Sequence, residues 1–382
     1  MSRVHLDYNA TTPLRPEARA VFLEVLDSAA GNPSSVHHSG RAARAVVDDA
    51  RARVADALGV DEDAIVFTSG GTEANNLALF GSLEALEGPI QLITTPVEHA
   101  AVLEPARAAA ERWGGRVRLR LLTVDAAGRP DLDELQALIA EGPALVSIIA
   151  ANNEIGTVTS YGEIRAILGE RSDLIYHSDS VQLLGKRRFD LSAVDLATFS
   201  AHKVGGPVGV GILVRRRKTP LAPRLFGGSQ EAALRPGTEN VAAIAAAACA
   251  VDLAVQETAA FETMTAARTG QLWTGLREAI PGIQLNGPAL DDPRRLTNTL
   301  NVSAPLQDAR TLVVKLDLAG LEVSAGSACA SGSIEPSHVL GALGIDPQRA
   351  AAGIRISLGK STTEEDIHTA VDKLRRTLGE AS

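Results

Sequence analysis

Short apolar runs alternate along the chain with stretches whose apolar residues recur every three or four positions. Ala43, Val46, Val47, Ala50, Val54 and Leu58 share one helical face. A strand over 64–67, a helix over 72–86, a strand over 90–94 and a helix over 99–113 follow. The alternation continues with a strand over 117–122, a helix over 131–140, a strand over 144–149, a helix over 160–168, and strands over 174–177 and 196–200. This succession predicts an α/β fold with a mostly parallel sheet and helices on both faces. From about Val241 the rhythm changes. Two long helical stretches are predicted over 241–256 and 261–279, and Pro281-Gly282 ends the second. Strands over 297–302 and 354–358, with helices over 309–318 and 363–378, then predict a smaller α/β domain. A helix rather than a flexible tether is expected to join the two, and the chain shows no internal repeat.

Composition narrows the class. The 382 residues carry a formal net charge of −9, with 45% hydrophobic and 3% aromatic residues. That apolar fraction is ordinary for a globular protein and excludes disorder as the main state. A pI near 5.5 argues against a general nucleic-acid binder, and scarce aromatics argue against stacking on single strands. No uninterrupted apolar run reaches the ~18 residues that a membrane span needs, and residues 1–8 lack the apolar core of a signal peptide. No membrane association is therefore expected. Two cysteines, Cys249 and Cys329, form neither a disulfide framework nor a C-x-x-C pair. A reducing, cytoplasmic location is the default expectation. No zinc signature is present, so no metal is expected.

Six segments could carry chemistry. Thr68-Ser-Gly-Gly-Thr-Glu-Ala-Asn-Asn76 follows a strand and opens a helix. Its glycines admit a close ligand, and its helix N-terminus suits a phosphate; the same residues also make a plain turn with Thr72 as N-cap. Lys203 stands just past a strand in a glycine-rich run. A partly desolvated lysine there could form a Schiff base, or simply sit on the surface of a hairpin. Asp179 follows another strand, where it could pair with a protonated ring nitrogen or cap a helix. His99 and Asn153 stand at the same strand ends. His99 could stack on a planar cofactor and move protons, or only start a helix; Asn153 could bond a ring substituent, or only shape a turn. Cys329 lies among small residues, which suits an accessible nucleophile, whereas Cys249 lies in an Ala-rich helix and reads as a buried thiol. Arg355 alternates with apolar residues on a strand, where its fork suits a carboxylate ligand or a structural ion pair. Together an amine, a ring-nitrogen partner, a phosphate cradle, a carboxylate clamp and a thiol match what pyridoxal phosphate needs to act on an amino acid.

The segments also resemble a known family. Leu6-Asp-Tyr-Asn-Ala-Thr-Thr-Pro13, Gly70-Gly-Thr-Glu-Ala-Asn-Asn76, Glu98-His99, Asn152-Asn-Glu-Ile-Gly156, Asp179 with Gln182, Ser200-Ala-His-Lys203, Arg235-Pro-Gly-Thr-Glu-Asn240 and Gly326-Ser-Ala-Cys-Ala-Ser331 are similar to the NifS/IscS-like cysteine desulfurases of the class V aminotransferase family. The likeness covers nearly the whole chain. It implies a fold-type I pyridoxal 5'-phosphate enzyme with a mostly parallel, seven-stranded type of sheet. A large domain over 14–256 would bind the cofactor, and a small one, 1–13 with 257–382, would carry the cysteine loop. By position Lys203 would hold the cofactor, Asp179 its ring nitrogen and Gln182 its phenolic oxygen. Gly71, Thr72, Ser200 and His202 would cradle the phosphate, with Thr238 reaching over from the second subunit of a homodimer. His99 would stack on the ring and assist proton transfer, while Asn153 and Arg355 would orient the carboxylate of L-cysteine. Cys329 would take the sulfur as a persulfide, release L-alanine and pass the sulfur to an acceptor protein such as an iron–sulfur scaffold or a thiolation partner. The Ser-Ala-Cys-Ala-Ser setting resembles the long-loop group, and the Arg-x-Gly-His-His-Cys context of the other group is absent. Val208 stands where many relatives have lysine, and Ser229 replaces a glycine in the run Gly227-Gly-Ser-Gln230. Selenocysteine lyase or another class V aminotransferase activity is the alternative; a transaminase needs no cysteine, which counts against the latter.

Overall fold

A computed structural model describes residues 3–29, 31–216, 219–304, 308–325 and 337–379. Strand β1 (Val4–His5) leads to helices α1 (Pro16–Ser28) and α2 (His38–Leu58). Then come β2 (Ile65–Thr68), α3 (Gly71–Ala85), β3 (Ile90–Thr94), α4 (Ala100–Trp113), β4 (Val117–Leu121), α5 (Leu132–Ala140), β5 (Ala144–Ser147), α6 (Tyr161–Leu168), β6 (Leu174–Asp179), β7 (Leu196–Ser200) and β8 (Gly211–Arg215). Helix α7 (Val241–Ala279) follows, then β9 (Gln284–Leu285), β10 (Thr299–Ser303), α8 (Ala309–Leu318), β11 (Leu321–Glu322), β12 (Ser324–Ala325), α9 (His338–Ala342), α10 (Pro347–Ala351), β13 (Gly353–Ser357) and α11 (Glu364–Gly379).

Among the described residues the central sheet has seven strands in the order β2-β8-β7-β6-β5-β3-β4. The neighbours from β7 to β4 pair in parallel, as the helical crossovers require. β8 runs antiparallel to both β7 and β2 because a short glycine-bearing loop, not a helix, returns the chain from β7. Strands β2, β3, β5, β6 and β7 therefore all end at one edge, where open α/β sheets bind ligands. One apolar layer sets β2, β5, β6 and β7 against α2, α6 and the first half of α7. The other sets α3 and α4 against the opposite face.

A second, antiparallel sheet runs β12-β13-β10-β9, and β1 pairs with β11 alongside it. Its core joins Val4 and Leu6 to Leu272, Leu276, Leu300, Leu312, Ile354 and Leu374, so the N-terminal strand packs with the last third of the chain. A small cluster of Val97 and Ile155 with Val339, Leu340 and Leu343 connects the two parts.

One prediction needs correcting. The two helical stretches after Val241 are a single helix of 39 residues. Residues 257–260 contain no glycine or proline, and what pauses there is burial, with Gln256, Ala259 and Ala260 exposed. The division proposed at 256/257 thus falls inside a continuous helix. α7 is also long and apolar enough to cross a bilayer by length and composition, but its apolar half is mostly buried against α1 and α2 as a core helix.

Candidate active site

Each strand end at the shared edge places a functional side chain. α3 starts at Gly71 with Gly70 as N-cap and no side-chain cap, so its first amides are left for a ligand. Thr72 lies inside the first turn and is exposed; it is not the N-cap that the plain-turn reading assigned. The turn lies close against the sheet. A Cβ on Gly211 would sit 2.3 Å from the carbonyl carbon of Gly70, and one on Gly71 would meet Val181 at 3.1 Å and Ser200 at 3.5 Å. Small residues are what let this helix terminus reach the end of β7, where Ser200 is buried.

Asp179 is the last residue of β6, one step earlier than a position just past the strand, and it is 4% exposed. No helix follows, only a turn, so it caps none. Its Oδ1 accepts from the Val181 amide at 3.1 Å, and its Oδ2 accepts from Asn75 Nδ2 at 2.8 Å. Thr198 Oγ1 donates to Asn75 Oδ1 at 2.5 Å, which fixes the amide with its nitrogen toward the carboxylate. The site thus holds a buried, aimed carboxyl group, and Asn75 is a part of it that had no role assigned from sequence.

His99 caps α4, its Nδ1 accepting from the Ala101 amide at 3.1 Å. That assigns the proton of the neutral ring to Nε2. Both sequence readings of this histidine are therefore compatible with its place. Glu98 beside it is fully buried. Its Oε1 accepts from Thr95 Oγ1 and from the Ile149 amide, each at 2.8 Å, while Oε2 has no hydrogen-bond partner among the described residues. Burial pushes its pKa up from 4.5 to about 8, so it is mainly protonated at neutral pH.

Lys203 follows β7 in a short helical turn and is half-buried. Its Nζ donates to the carbonyls of Asn9 and Ala10, each at 2.7 Å. Burial first, then the Lys203 charge, lowers the pKa of neighbouring His202 to about 4, which leaves that ring neutral. His202 Nδ1 lies 3.0 Å from Thr11 Oγ1. The N-terminal segment thus closes one side of the site, and Asn9 is its hub. The Asn9 carbonyl also accepts from Gln182 Nε2 at 2.9 Å. Its Nδ2 donates to the Asn153 carbonyl at 3.0 Å and to Thr299 Oγ1 at 2.8 Å.

Arg355, on β13, is 1% exposed. Its Nη2 donates to Asp7 Oδ1 at 2.7 Å and to Ser324 Oγ at 3.2 Å, and its Nη1 to the Asn153 carbonyl at 3.4 Å. Nε has no partner among the described residues. The structural ion pair exists, and a buried donor remains over. Asn152 shapes the neighbouring turn, its Oδ1 accepting from the amides of Glu154 and Ile155; this leaves Asn153 half-buried at the strand edge.

The single chain therefore brings together Gly71, Thr72, His99, Asn153, Asp179, Gln182, Ser200, His202, Lys203 and Arg355. Thr238 is exposed in a loop whose Arg235 pairs with Glu73 of α3 at 2.9 Å. Cys329 lies outside the described residues, as does the rest of its small-residue run. Cys249 is buried in α7, where burial raises its pKa, in keeping with an inert thiol. Val208 is 75% exposed. The donor set fits an aldehyde-bearing pyridine phosphate: a primary amine, a carboxylate held for a ring N–H, and open helix amides beside a buried hydroxyl. The Cβ-free approach of Gly71 to Ser200 leaves room for the anion.

The sequence profile of the Aminotransferase class-V family matches residues 4–369. A cysteine desulfurase IscS of Dictyoglomus turgidum is 42% identical over 377 residues, which is 98% of this chain and 94% of the relative. Among solved structures, a NifS-like protein superposes with a TM-score of 0.91 at 37% identity, covering 99% of this chain and 100% of its own. SspA in complex with cysteine superposes with a TM-score of 0.79 at 30% identity, covering 93% of this chain and 98% of its own.

Proposed function

The chain belongs to the class V aminotransferase family, among its NifS/IscS-like cysteine desulfurases, and from that premise we propose how its own residues divide the work. The enzyme removes sulfur from L-cysteine, as its family does. That family depends on pyridoxal phosphate, which when bound supplies an electron sink conjugated to the substrate's α-carbon. The observation that carries the assignment is the convergence of Lys203, Gln182, Asn153 and Arg355 on Asn9 and its neighbours, together with the Asp179–Asn75 pair at the end of β6.

The amides of α3 and the hydroxyls of Thr72 and Ser200 bind the phosphate, with neutral His202 as a further donor. Asp179 keeps the ring nitrogen protonated, and Gln182 donates to the phenolic oxygen. Lys203 supplies the amine that anchors the cofactor, and it holds a proton for the α-carbon when substrate displaces it. Arg355 takes the cysteine carboxylate with the donor capacity that Asp7 and Ser324 leave over, and Asn153 sets its angle. His99, with Nδ1 occupied, moves protons through Nε2. The thiolate of Cys329 then forms a bond to the substrate sulfur as the substrate's carbon–sulfur bond breaks. The electron pair of that bond stays with carbon, which takes a proton, and alanine leaves. The enzyme retains the sulfur as a persulfide for an acceptor protein.

The same reading makes the enzyme a homodimer in which the exposed Thr238 serves the site of a second copy. It places the large domain at 14–256, the small domain at 1–13 with 257–382, and the protein in the cytoplasm. Its test is alanine release from L-cysteine with a reductant present. Wild type is expected to turn over and Lys203→Ala to lose at least ~10³-fold, since both anchoring and proton transfer are removed. Equal alanine from both proteins contradicts the assignment of Lys203.

A further inference from the structure

Lys186 is a buried lysine with no part in the chemistry above. It ends the turn after β6 and is 6% exposed. Its Nζ donates to Asn9 Oδ1 at 2.8 Å and to Gln182 Oε1. Neither acceptor is a counter-ion. Burying an amine on two neutral amides costs stability, and the cost is visible. Burial first, then the positive charges of Lys203 and Arg355, hold its pKa well below the ordinary lysine value.

What the amine does there follows from the shape of an amide. The donor and acceptor ends of glutamine are nearly alike in size, so packing alone does not choose between them. The Lys186 amine donates to two amide oxygens, Asn9 Oδ1 and Gln182 Oε1, which uses two of its hydrogens whether or not it is protonated, and it therefore takes the oxygen end. With Oε1 of Gln182 held by Lys186, Nε2 must face the other way. One of its hydrogens reaches the Asn9 carbonyl at 2.9 Å, and the second remains for a ligand. The same carbonyl receives Lys203 Nζ at 2.7 Å. The Asn9 side chain is held on all sides as well. Lys186 and Asn298 donate to its Oδ1, and its Nδ2 donates to the Asn153 carbonyl and Thr299 Oγ1.

We propose that Lys186 is a positioning residue: it sets the amide of Gln182 with its donor end toward the cofactor site and, through Asn9, steadies the carbonyl that receives the Lys203 amine. The proposal rests on the reading that Gln182 and Lys203 face pyridoxal phosphate. A donor on the phenolic oxygen tunes the cofactor's visible absorption, so the spectrum reports the amide directly.

The experiment compares the absorption maximum of the pyridoxal-phosphate-loaded protein at one pH in wild type, Lys186→Met, Gln182→Ala and the double variant. Lys186→Met and Gln182→Ala are expected to displace the maximum in the same direction. The double variant is expected to move no further than Gln182→Ala, because Lys186 acts through Gln182. A Lys186→Met protein that melts earlier yet keeps the wild-type maximum overturns the proposal, and so do additive shifts in the double variant. A wild type that shows no cofactor band after loading takes down the reading of the site and this proposal with it. Neutron diffraction on the wild-type holoenzyme needs no variant. Both Gln182 amide deuterons are expected away from Lys186, on the Asn9 carbonyl and the phenolic oxygen, and a reversed amide overturns the proposal.

Discussion

Single side chains in this site are set by hydrogen bonds that leave them one choice of protonation or orientation. Glu98 is the clearest measurable case. Its folded pKa of about 8 lies above the ordinary 4.5, so the native state binds more protons than the unfolded chain between those values. Stability contributed by Glu98 is therefore full below pH 4.5 and is lost as pH rises through 8, at up to about 1.4 kcal/mol per pH unit. Buried His177 has the opposite sign. Its pKa is held down to about 3 by burial, so its contribution is full above 6.5 and is lost as pH falls. Between pH 6.5 and 8 the histidine contribution is flat, while buried Lys186, its pKa held well below the ordinary lysine value, contributes a slope of opposite sign to that of Glu98. Glu98→Gln, which keeps an oxygen for Thr95 and Ile149, is expected to remove the falling component, so that stability against pH in that window slopes further upward than in wild type by urea unfolding. An unchanged slope means that Glu98 is already ionised in the native state. The residues legible in the sequence, Lys203, Asp179 and His99, each stand at or just beyond an apolar strand, where a polar group has few structural excuses. Asn75, Asn9 and Lys186 were not legible, because their roles exist only across the chain. Asn75 meets Asp179 104 positions away, and Asn9 meets Thr299 290 positions away.

Elements were more legible than residues, because burial periodicity reports local geometry. The predicted strands and crossover helices of the main sheet lie within a residue or two of the observed ones, whereas β8 is not among the predicted strands. The exception, α7, shows what periodicity measures. It follows which face is covered, and it pauses wherever a helix emerges from its neighbours, broken or not. Pairing direction was less legible. That β8 turns back antiparallel depends on the loop after Lys203, which packs Gly205, at φ +86°, against Arg15. At this scale the account makes a prediction about α3. Its N-terminus is held at the site by the glycine-to-glycine contact with the start of β8. Gly211→Ala is expected to push the terminus away, weakening pyridoxal phosphate binding by at least ~10-fold, about 1.4 kcal/mol, as titrated by absorbance. Retained affinity contradicts a phosphate at that helix end.

The main sheet with its two apolar layers and the smaller sheet with its own core are joined by α7 and by the small Val97–Ile155–Leu340 cluster, with the first residues of the chain packed in the smaller sheet's core. Arg355 stands on β13 of the smaller sheet and Lys203 just past β7 of the main one, so the site spans the joint, and its geometry depends on how the two parts meet. The loop bearing Thr238 adds a further level. Glu231, Ala232 and Ala233 all take positive φ, a conformation disfavoured for side-chain-bearing residues. It is held because the Glu231 carboxylate accepts from Arg51 and from the Phe67 amide. Strain kept in an exposed loop accords with a role outside its own chain. If Thr238 completes the partner's site, mixing Lys203→Ala protein with Thr238→Trp protein under subunit exchange restores activity to about one quarter of wild type, from the half of dimers that are mixed. No restoration places both residues in the same site. The most direct test of the whole account is the mass of the Cys329 peptide, taken after L-cysteine turns over without a reductant. The account predicts that this peptide gains one sulfur atom while alanine appears in equal amount, and that the Cys249 peptide does not. Alanine formed at the wild-type rate by a Cys329→Ala protein, or sulfur found on Cys249 instead, contradicts it.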